Sequence, residues 1–400
     1  MVFTKHNITS TLIVSTLILS LSFNILFIAV EMSQRKLRKD LWLISNINSP
    51  LQTCTASFHN YVLEGAKHII TDGIYIPRPQ PYSSFKDNLI RFVSKEGKGF
   101  NEVAYKYGET AFLLNSLLFQ AKKDKDKNLL SFVRKMFDEY ELSLPPIKED
   151  KTLDRAPYGL VAIELYLHTK DDKYKKFADE EFQWLQSIDT TAVGIIYDFR
   201  DSTRNHQAVE APGFVCPFLM QYAKAFNNDK AREMAVNQLN LYCEYGCDMR
   251  SGLPAADWRI YPPYNSTGNH HWGRGNTWFS IAVLAVDEKD LSLQAQDIIK
   301  KYLYTLSDIY HRNGCFHQFI DEPRSPRDMC AELPLIYLLY KKGLIHLKKE
   351  DLLEYSRFMK DGIIYHSSGV FPYHGGPVTM VGSSNRLSQA FLLQLLNEVQ

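Results

Sequence analysis

Five times along the chain an apolar helical segment runs into a short turn rich in Lys, Asp and Asn, and then into a second, amphipathic segment. "TAFLLNSLLFQAKKDKDKNLLSFVRKMFDEY", "YGLVAIELYLHTKDDKYKKFADEEFQWL" and "GFVCPFLMQYAKAFNNDKAREMAVNQLNLYC" are three such pairs. "TWFSIAVLAVDEKDLSLQAQDIIKKYLYTL" and "AELPLIYLLYKKGLIHLKKEDLLEYSRFMKD" are the others. The first helices begin near Thr110, Tyr158, Gly213, Thr277 and Ala331, and a sixth apolar segment begins near Arg386, a period of roughly fifty to sixty residues. Hairpins recurring at such a period stack as an open solenoid or as a closed ring. Two features select the ring. The first helix of each pair is the more apolar all round, as an inner helix buried on both sides must be, whereas the second carries one apolar stripe. The last helix lacks a following partner, which "LQTCTASFHNYVLEGAKHII" near the N-terminus can supply by closing the circle. The expected fold is all-α: an (α/α)6 toroid of six hairpins over residues 46–400, behind a membrane anchor and basic flank over residues 1–45.

That anchor is read from Thr11–Val30, "TLIVSTLILSLSFNILFIAV", which is uncharged and long enough to cross a hydrocarbon core as one helix. The run exceeds the usual apolar region of a signal peptide and "FIAVEMSQ" offers no good small-residue cleavage site, so a single-pass, uncleaved anchor through residues 11–30 is expected. Arg35, Lys36, Arg38 and Lys39 follow the span and only Lys5 precedes it, a bias that leans the following domain toward the cytoplasm. The sequons at Asn7 and Asn265 matter only for exported segments. The chain carries 46 basic and 45 acidic residues, a formal charge of +1, without the basic excess that nucleic-acid binding requires. Of six cysteines only Cys243 and Cys247 lie close together, with no second Cys or His pair beside them. Free thiols are expected and a metal site is not.

In a toroid the loops leading into the inner helices gather at one end, and here they share one character. "KTLDRAPYG", "YDFRDSTRNHQAVEAPG", "NHHWGRGN", "HQFIDEPRSPRDMCAE" and "YHGGPVTMVGSSNR" mix aromatic residues with carboxylates, arginines and histidines. Such a surface suits sugars, whose ring faces stack on aromatic side chains while their hydroxyls take directed hydrogen bonds.

The segment "HHWGRGNTWFSIAVL" resembles the W-x-R-G-N-x-W motif of the unsaturated glucuronyl and rhamnogalacturonyl hydrolases, glycoside hydrolase families 88 and 105. "FHQFIDEPRSPRDMCAELPLIYLLYKKGLI", with Gln318, Asp321 and Pro323, and "VGSSNRLSQAFLLQLLNE" are similar to later family segments, so the likeness covers roughly residues 100 to 400. The resemblance implies an (α/α)6 barrel without metal or cofactor. It implies a substrate oligosaccharide ending in a 4,5-unsaturated uronic acid: a carboxylic acid protonates the enol ether, water adds, and the hemiketal collapses to release the next sugar. By the same resemblance Asp154 in "LDRAPYGL" matches the supporting carboxylate, and Glu210 in "AVEAPGFVCPFLM" stands where the family's main acid/base is Asp. Where the family has a His, "SGLPAADWR" offers Asp257 and Trp258. The substrate-facing set implied is Arg274, Trp272, His270, His271, Asn276, Trp258 and Gln318.

Several alternatives stay open at this point. Unless the loop compensates, the longer Glu side chain displaces the carboxyl by more than about an ångström, and misplacement on that scale costs on the order of a hundredfold in rate. Asp198, Asp201 or His206 are candidates to replace it. Asp154 also reads as a helix cap, Trp278 as core, and Arg274, set between two glycines, as a contact to a uronate carboxylate. Two other functions fit the same fold: a uronate or hexose epimerase, for which "GIIYDFRD" offers Tyr197, Asp198 and Arg200, and an inactive carbohydrate-binding relative.

Overall fold

The computed structural model describes residues 5–45, 47–76, 85–94, 100–102, 108–144, 146–147, 152–196, 206–259, 271–368 and 384–399. Two compact units divide the chain, one of Met1–Asn46 with Ile74–Glu102 and the other of Ile47–Gly73 with Val103–Gln400.

After α1 (Lys5–Ser45), α2 (Thr55–Asp72) and α3 (Phe85–Ser94), inner and outer helices alternate. The inner set is α4 (Gly108–Asp124), α6 (Tyr158–Thr169), α8 (Glu210–Phe226), α10 (Gly273–Ala285), α12 (Met329–Lys341) and α13 (Arg386–Glu398). The outer set is α5 (Lys127–Ser143), α7 (Asp172–Ser187), α9 (Asp229–Gly246) and α11 (Leu293–Asn313), with α2 packed against α13. Each inner helix packs on the next, and α13 returns to α4, so the ring is closed. α2 therefore fills the vacancy behind the last hairpin, as its sequence led us to expect. The fifth outer element departs from expectation: Lys349–Phe358 is a 3-10 helix rather than an α-helix.

Local chemistry explains the alternation. In α7 the buried positions Tyr174, Phe177, Ala178, Glu181, Phe182, Trp184 and Leu185 follow the 3.6-residue period of one stripe, whereas in α6 every residue from Tyr158 to Ile163 is buried. The turns between them repeat a single device. Lys125, Lys170 and Asn227 each take the left-handed conformation that ends an inner helix. The next residue, Asp126, Asp171 or Asn228, caps the outer helix with its side chain, accepting for example from Asn128 N–H (2.8 Å) and Ala231 N–H (2.9 Å). The Lys/Asp/Asn turns of the sequence are thus stop and start signals in register.

In the first unit, Phe85 of α3 meets Phe23 and Phe27 of α1 with ring centroids 5.7 and 4.9 Å apart, and β1 (Ile74–Ile76) pairs antiparallel with β2 (Phe100–Glu102). Among the described residues one helical stretch, Val14–Asp40 within α1, is long and apolar enough to cross a membrane.

Candidate active site

The N-terminal ends of the inner helices carry the polar cluster of the ring. Unlike the outer helices, α6, α8 and α10 begin with Pro157, Val209 and Trp272, none of which caps with its side chain. The positive ends of these helices are therefore left for other acceptors. Asp154 lies in a single 3-10 turn, Leu153–Arg155, just before α6. Its neighbour Arg155 turns outward into a buried ion pair with Glu181 of α7 (2.6 Å) and lies 5.9 Å from the Trp184 ring. With Arg155 held on the outer layer, Asp154 faces α4 instead, where Gly108 N–H donates to its Oδ1 at 3.3 Å. Gly108 is needed for that approach, because a Cβ there would meet the Phe214 ring at 2.7 Å and the Asp154 carbonyl at 3.0 Å. So Asp154 caps no helix of its own; it sits against the start of a neighbouring one.

Glu210 opens α8 and is buried, with Pro212 and Gly213 in the same first turn. The charge of Glu210 reaches Asp154, as does that of Glu109 in the first turn of α4. Burial, reinforced by these two carboxylates and opposed by the hydrogen bonds from Gly108 and Thr152, pushes Asp154 up to about 7. Asp154 is part-exposed while Glu210 and Glu109 are buried, so it is the accessible member of the three.

Arg274 in the first turn of α10 is 6 % exposed and ion-paired with Glu109 through Nη2. Burial works against its charge, but Glu109 above all, with Glu210 and Asp328 among the others, outweighs it and raises the guanidinium above its ordinary value. The flanking glycines serve protein packing: a Cβ on Gly273 would lie 2.5 Å from the His317 carbonyl, and one on Gly275 would lie 2.7 Å from Val209 Cγ1. Trp272 is 1 % exposed and stands 5.8 Å from the Arg274 guanidinium. Asn276 is buried and donates to the Trp272 carbonyl at 2.9 Å. Trp278 packs between Phe214 (4.5 Å) and Phe112 (5.8 Å) in the core.

The remaining residues of the expected set fall in different places. His271 is part-exposed, with Nδ1 at 3.2 Å from the Pro254 carbonyl and Nε2 at 4.0 Å from Asp321. Gln318 is buried and its carbonyl accepts from Gly273 N–H at 2.7 Å, fastening the loop to α10. Trp258 lies on β4 (Asp257–Arg259), which pairs antiparallel with β3 (His206–Ala208). It is fully buried against Tyr245 (6.0 Å, stacked) and Tyr242 (6.1 Å), so it turns to the outer layer, and Asp257 takes the opposite face of the strand. His270, Tyr197, Asp198, Arg200 and Asp201 lie outside the described residues, and of His206 only the backbone is described.

Two carboxyl residues entered the site without a signal in the motif. Glu109 was hidden in an apolar inner helix, and Asp328 caps α12, accepting from Cys330 N–H (2.9 Å) and Ser368 N–H (3.0 Å). Burial raises Asp328 above the usual carboxylate range. An acidic residue in the first turn of a segment otherwise buried all round is the one clue the sequence held for Glu109.

A closed ring of six hairpins with a carboxyl cluster at the N-terminal ends of its inner helices is the framework of a toroidal glycosidase. The chain belongs to Glycosyl Hydrolase Family 88, whose family model matches residues 92–350. Among solved structures it is similar to a possible member of glycoside hydrolase family 105 from Klebsiella pneumoniae (14 % identity, TM-score 0.67, covering 88 % of this chain and 94 % of that one). It is similar also to an unsaturated glucuronyl hydrolase specific for heparin (15 %, TM-score 0.62, 86 % and 95 %). A family 76 α-1,6-mannanase of Salegentibacter shares the fold as well (13 %, TM-score 0.59, 87 % and 100 %). A comparison with curated proteins finds no match.

Proposed function

We propose that this glycosidase hydrates the enol ether of a terminal 4,5-unsaturated uronic acid and thereby releases the adjoining sugar of an oligosaccharide. The observation that carries this reading is the pairing of Asp154, a part-exposed carboxyl group pushed up to about 7, with a second carboxyl group, Glu210, at the same end of the ring. Protonating an alkene carbon at neutral pH requires an acid whose pKa lies near the working pH, and adding water then requires a base within reach. Family membership supports a sugar substrate, and the family's heparin-specific structural relative acts on unsaturated glucuronyl substrates by its name. On this reading the part-exposed His271 belongs to the rim that receives substrate, the buried Arg274, Asn276, Trp272 and Gln318 form the wall behind it, and Trp258 supports that wall from the outer layer. We also read α1 as an uncleaved single-pass anchor, with the basic flank after it holding the ring on the cytoplasmic side.

The test is an ultraviolet assay of the full chain in detergent against lyase-generated unsaturated uronyl disaccharides. Loss of the conjugated double bond's absorbance with release of the second sugar is expected. An intact spectrum across glucuronyl and rhamnogalacturonyl substrates, with sugar binding retained, would overturn it.

A further inference from the structure

We infer that α3 is a second membrane-binding element of this chain: an interfacial helix that lies against α1 at the bilayer surface, with Ile90 and Val93 among the acyl chains and Lys86 at the phosphates. The inference rests on reading α1 as a membrane anchor and is independent of the substrate.

The first observation concerns which unit the segment folds with. Ile74–Glu102 interrupts the ring unit between Gly73 and Val103, yet it belongs to the compact unit of α1. Its ends are closed on each other by β1 and β2, whose register pairs Ile74 with Glu102 and Ile76 with Phe100. α3 lies between these strands in sequence. A segment inserted into the ring's chain is therefore assembled on the anchor, and whatever surrounds the anchor there surrounds α3 as well.

The depth of the contact is the second observation. Phe85, the first residue of α3, packs on Phe23 and Phe27 with ring centroids 5.7 and 4.9 Å apart. Both partners lie inside the uncharged run Thr11–Val30, seven and three residues before its end. At about 1.5 Å per residue this places Phe85 roughly 5–10 Å inside the apolar run. The apolar face of an interfacial helix sits at the same depth, roughly 5–10 Å into the headgroup and acyl boundary. Around the contact α1 is uncovered: Leu17, Ile18, Leu19 and Phe27 face different sides of the helix and all are exposed. A helix apolar all round requires apolar surroundings. Asn24, the one amide side chain of the run, donates to the Ser20 carbonyl at 2.9 Å, so that N–H is satisfied within the helix as hydrocarbon demands.

The third observation is that α3 commits only part of its apolar surface to α1. At about 100° per residue, Phe85, Leu89, Val93 and Ile90 fall within an arc of roughly 140°. Phe85 and Leu89, on one side of that arc, are part-buried, whereas Ile90 and Val93 are 54 % and 71 % exposed. Lys86 is exposed on the same open stripe, between those two. A protein partner covering the stripe would bury the ammonium and have to supply a carboxylate in return. A phospholipid bilayer satisfies both parts of the stripe: the lysine stem lies along the acyl chains while its charge reaches the phosphate headgroups.

Depth measurement by spin labelling tests this in the full chain, in nanodiscs of phosphatidylcholine and phosphatidylglycerol. Val93→Cys, Leu19→Cys in the span and Leu142→Cys on α5 each carry a nitroxide at an exposed position in a Cys54→Ser chain, and label on the remaining thiols is subtracted with that parent chain. Relaxation by oxygen, which partitions into lipid, is compared with relaxation by a water-soluble nickel chelate. The Val93 label is expected on the lipid side, roughly 5–10 Å below the phosphates, with Leu19 deeper and Leu142 in water. A Val93 label as open to nickel as that at Leu142, with Leu19 in lipid, overturns the inference and leaves the anchor standing. A Val93 label shielded from both reagents means that protein covers the stripe, and overturns it as well. A Leu19 label open to nickel removes the anchor reading and this inference with it.

Discussion

The two ends of the ring use the same ionic chemistry to different ends. At the N-terminal end the Arg274–Glu109 pair joins α10 to α4 with side chains 7 % and 8 % exposed. At the other end Lys122 and Glu164 join α4 to α6 at 2.6 Å, but the lysine side chain is 46 % exposed. That end also holds a cavity of about 590 Å³ whose lining includes Phe112, Met220, Lys224, Arg232 and Leu284, so its charges stand beside solvent. Water screens the second pair and leaves it worth little. Protein surrounds the first, and burial there, reinforced by the charges of Glu109 and Glu210, is what displaces Asp154. A titrating group near neutrality is a product of burial at one end of the barrel, not of the residue types, which both ends share.

The comparison can be broken or sharpened by experiment, beginning with catalysis. Glu210→Gln and Asp154→Asn are each expected to lower turnover of an unsaturated uronide by on the order of 10²–10⁴ while leaving binding largely intact; an unchanged rate in either removes that residue from the chemistry. Arg274→Met comes next. It leaves Glu109 buried without its partner, and a loss of about 3–5 kcal/mol is expected in denaturant unfolding of the full chain. A smaller effect follows pH. Asp154 is held above its ordinary 3.8, so between about 4 and about 7 the folded protein retains a proton that the unfolded chain has lost. Its contribution to stability therefore falls as pH rises through this window and levels off above 7, and Asp154→Asn should lack that component of the slope. The smallest effect belongs to the far end: Lys122→Ala should cost under about 1 kcal/mol. If it cost as much as Arg274→Met, the contrast in screening between the two ends would be wrong.

The architecture was legible because it is written in local signals. Inner helix starts expected at Thr110, Tyr158, Gly213, Thr277, Ala331 and Arg386 are observed at Gly108, Tyr158, Glu210, Gly273, Met329 and Arg386. Three of the five Lys/Asp/Asn turns between helices proved to be left-handed residues followed by side-chain caps. The fifth outer element was misread because "KKEDLLEYSRF" has the charge pattern of an amphipathic helix, whereas the segment packs against α2 as a 3-10 helix.

The site was legible in part, and the division is physical. The family resemblance brought forward Asp154 and Glu210, and the motif "HHWGRGNTW" brought forward Arg274 and Trp272; each lies within a turn or so of an inner helix start. It could not say that Trp258 faces the outer layer, because that is decided by which face of a two-stranded ribbon meets α9. Nor could it pair Arg274 with Glu109, residues 165 positions apart. Periodicity and capping act over one or two turns, and so the sequence by itself determined the helices, their order and the closure of the ring. Ion pairing and desolvation act through space, and only the tertiary structure decided that Arg274 pairs with Glu109 and that burial raises Asp154.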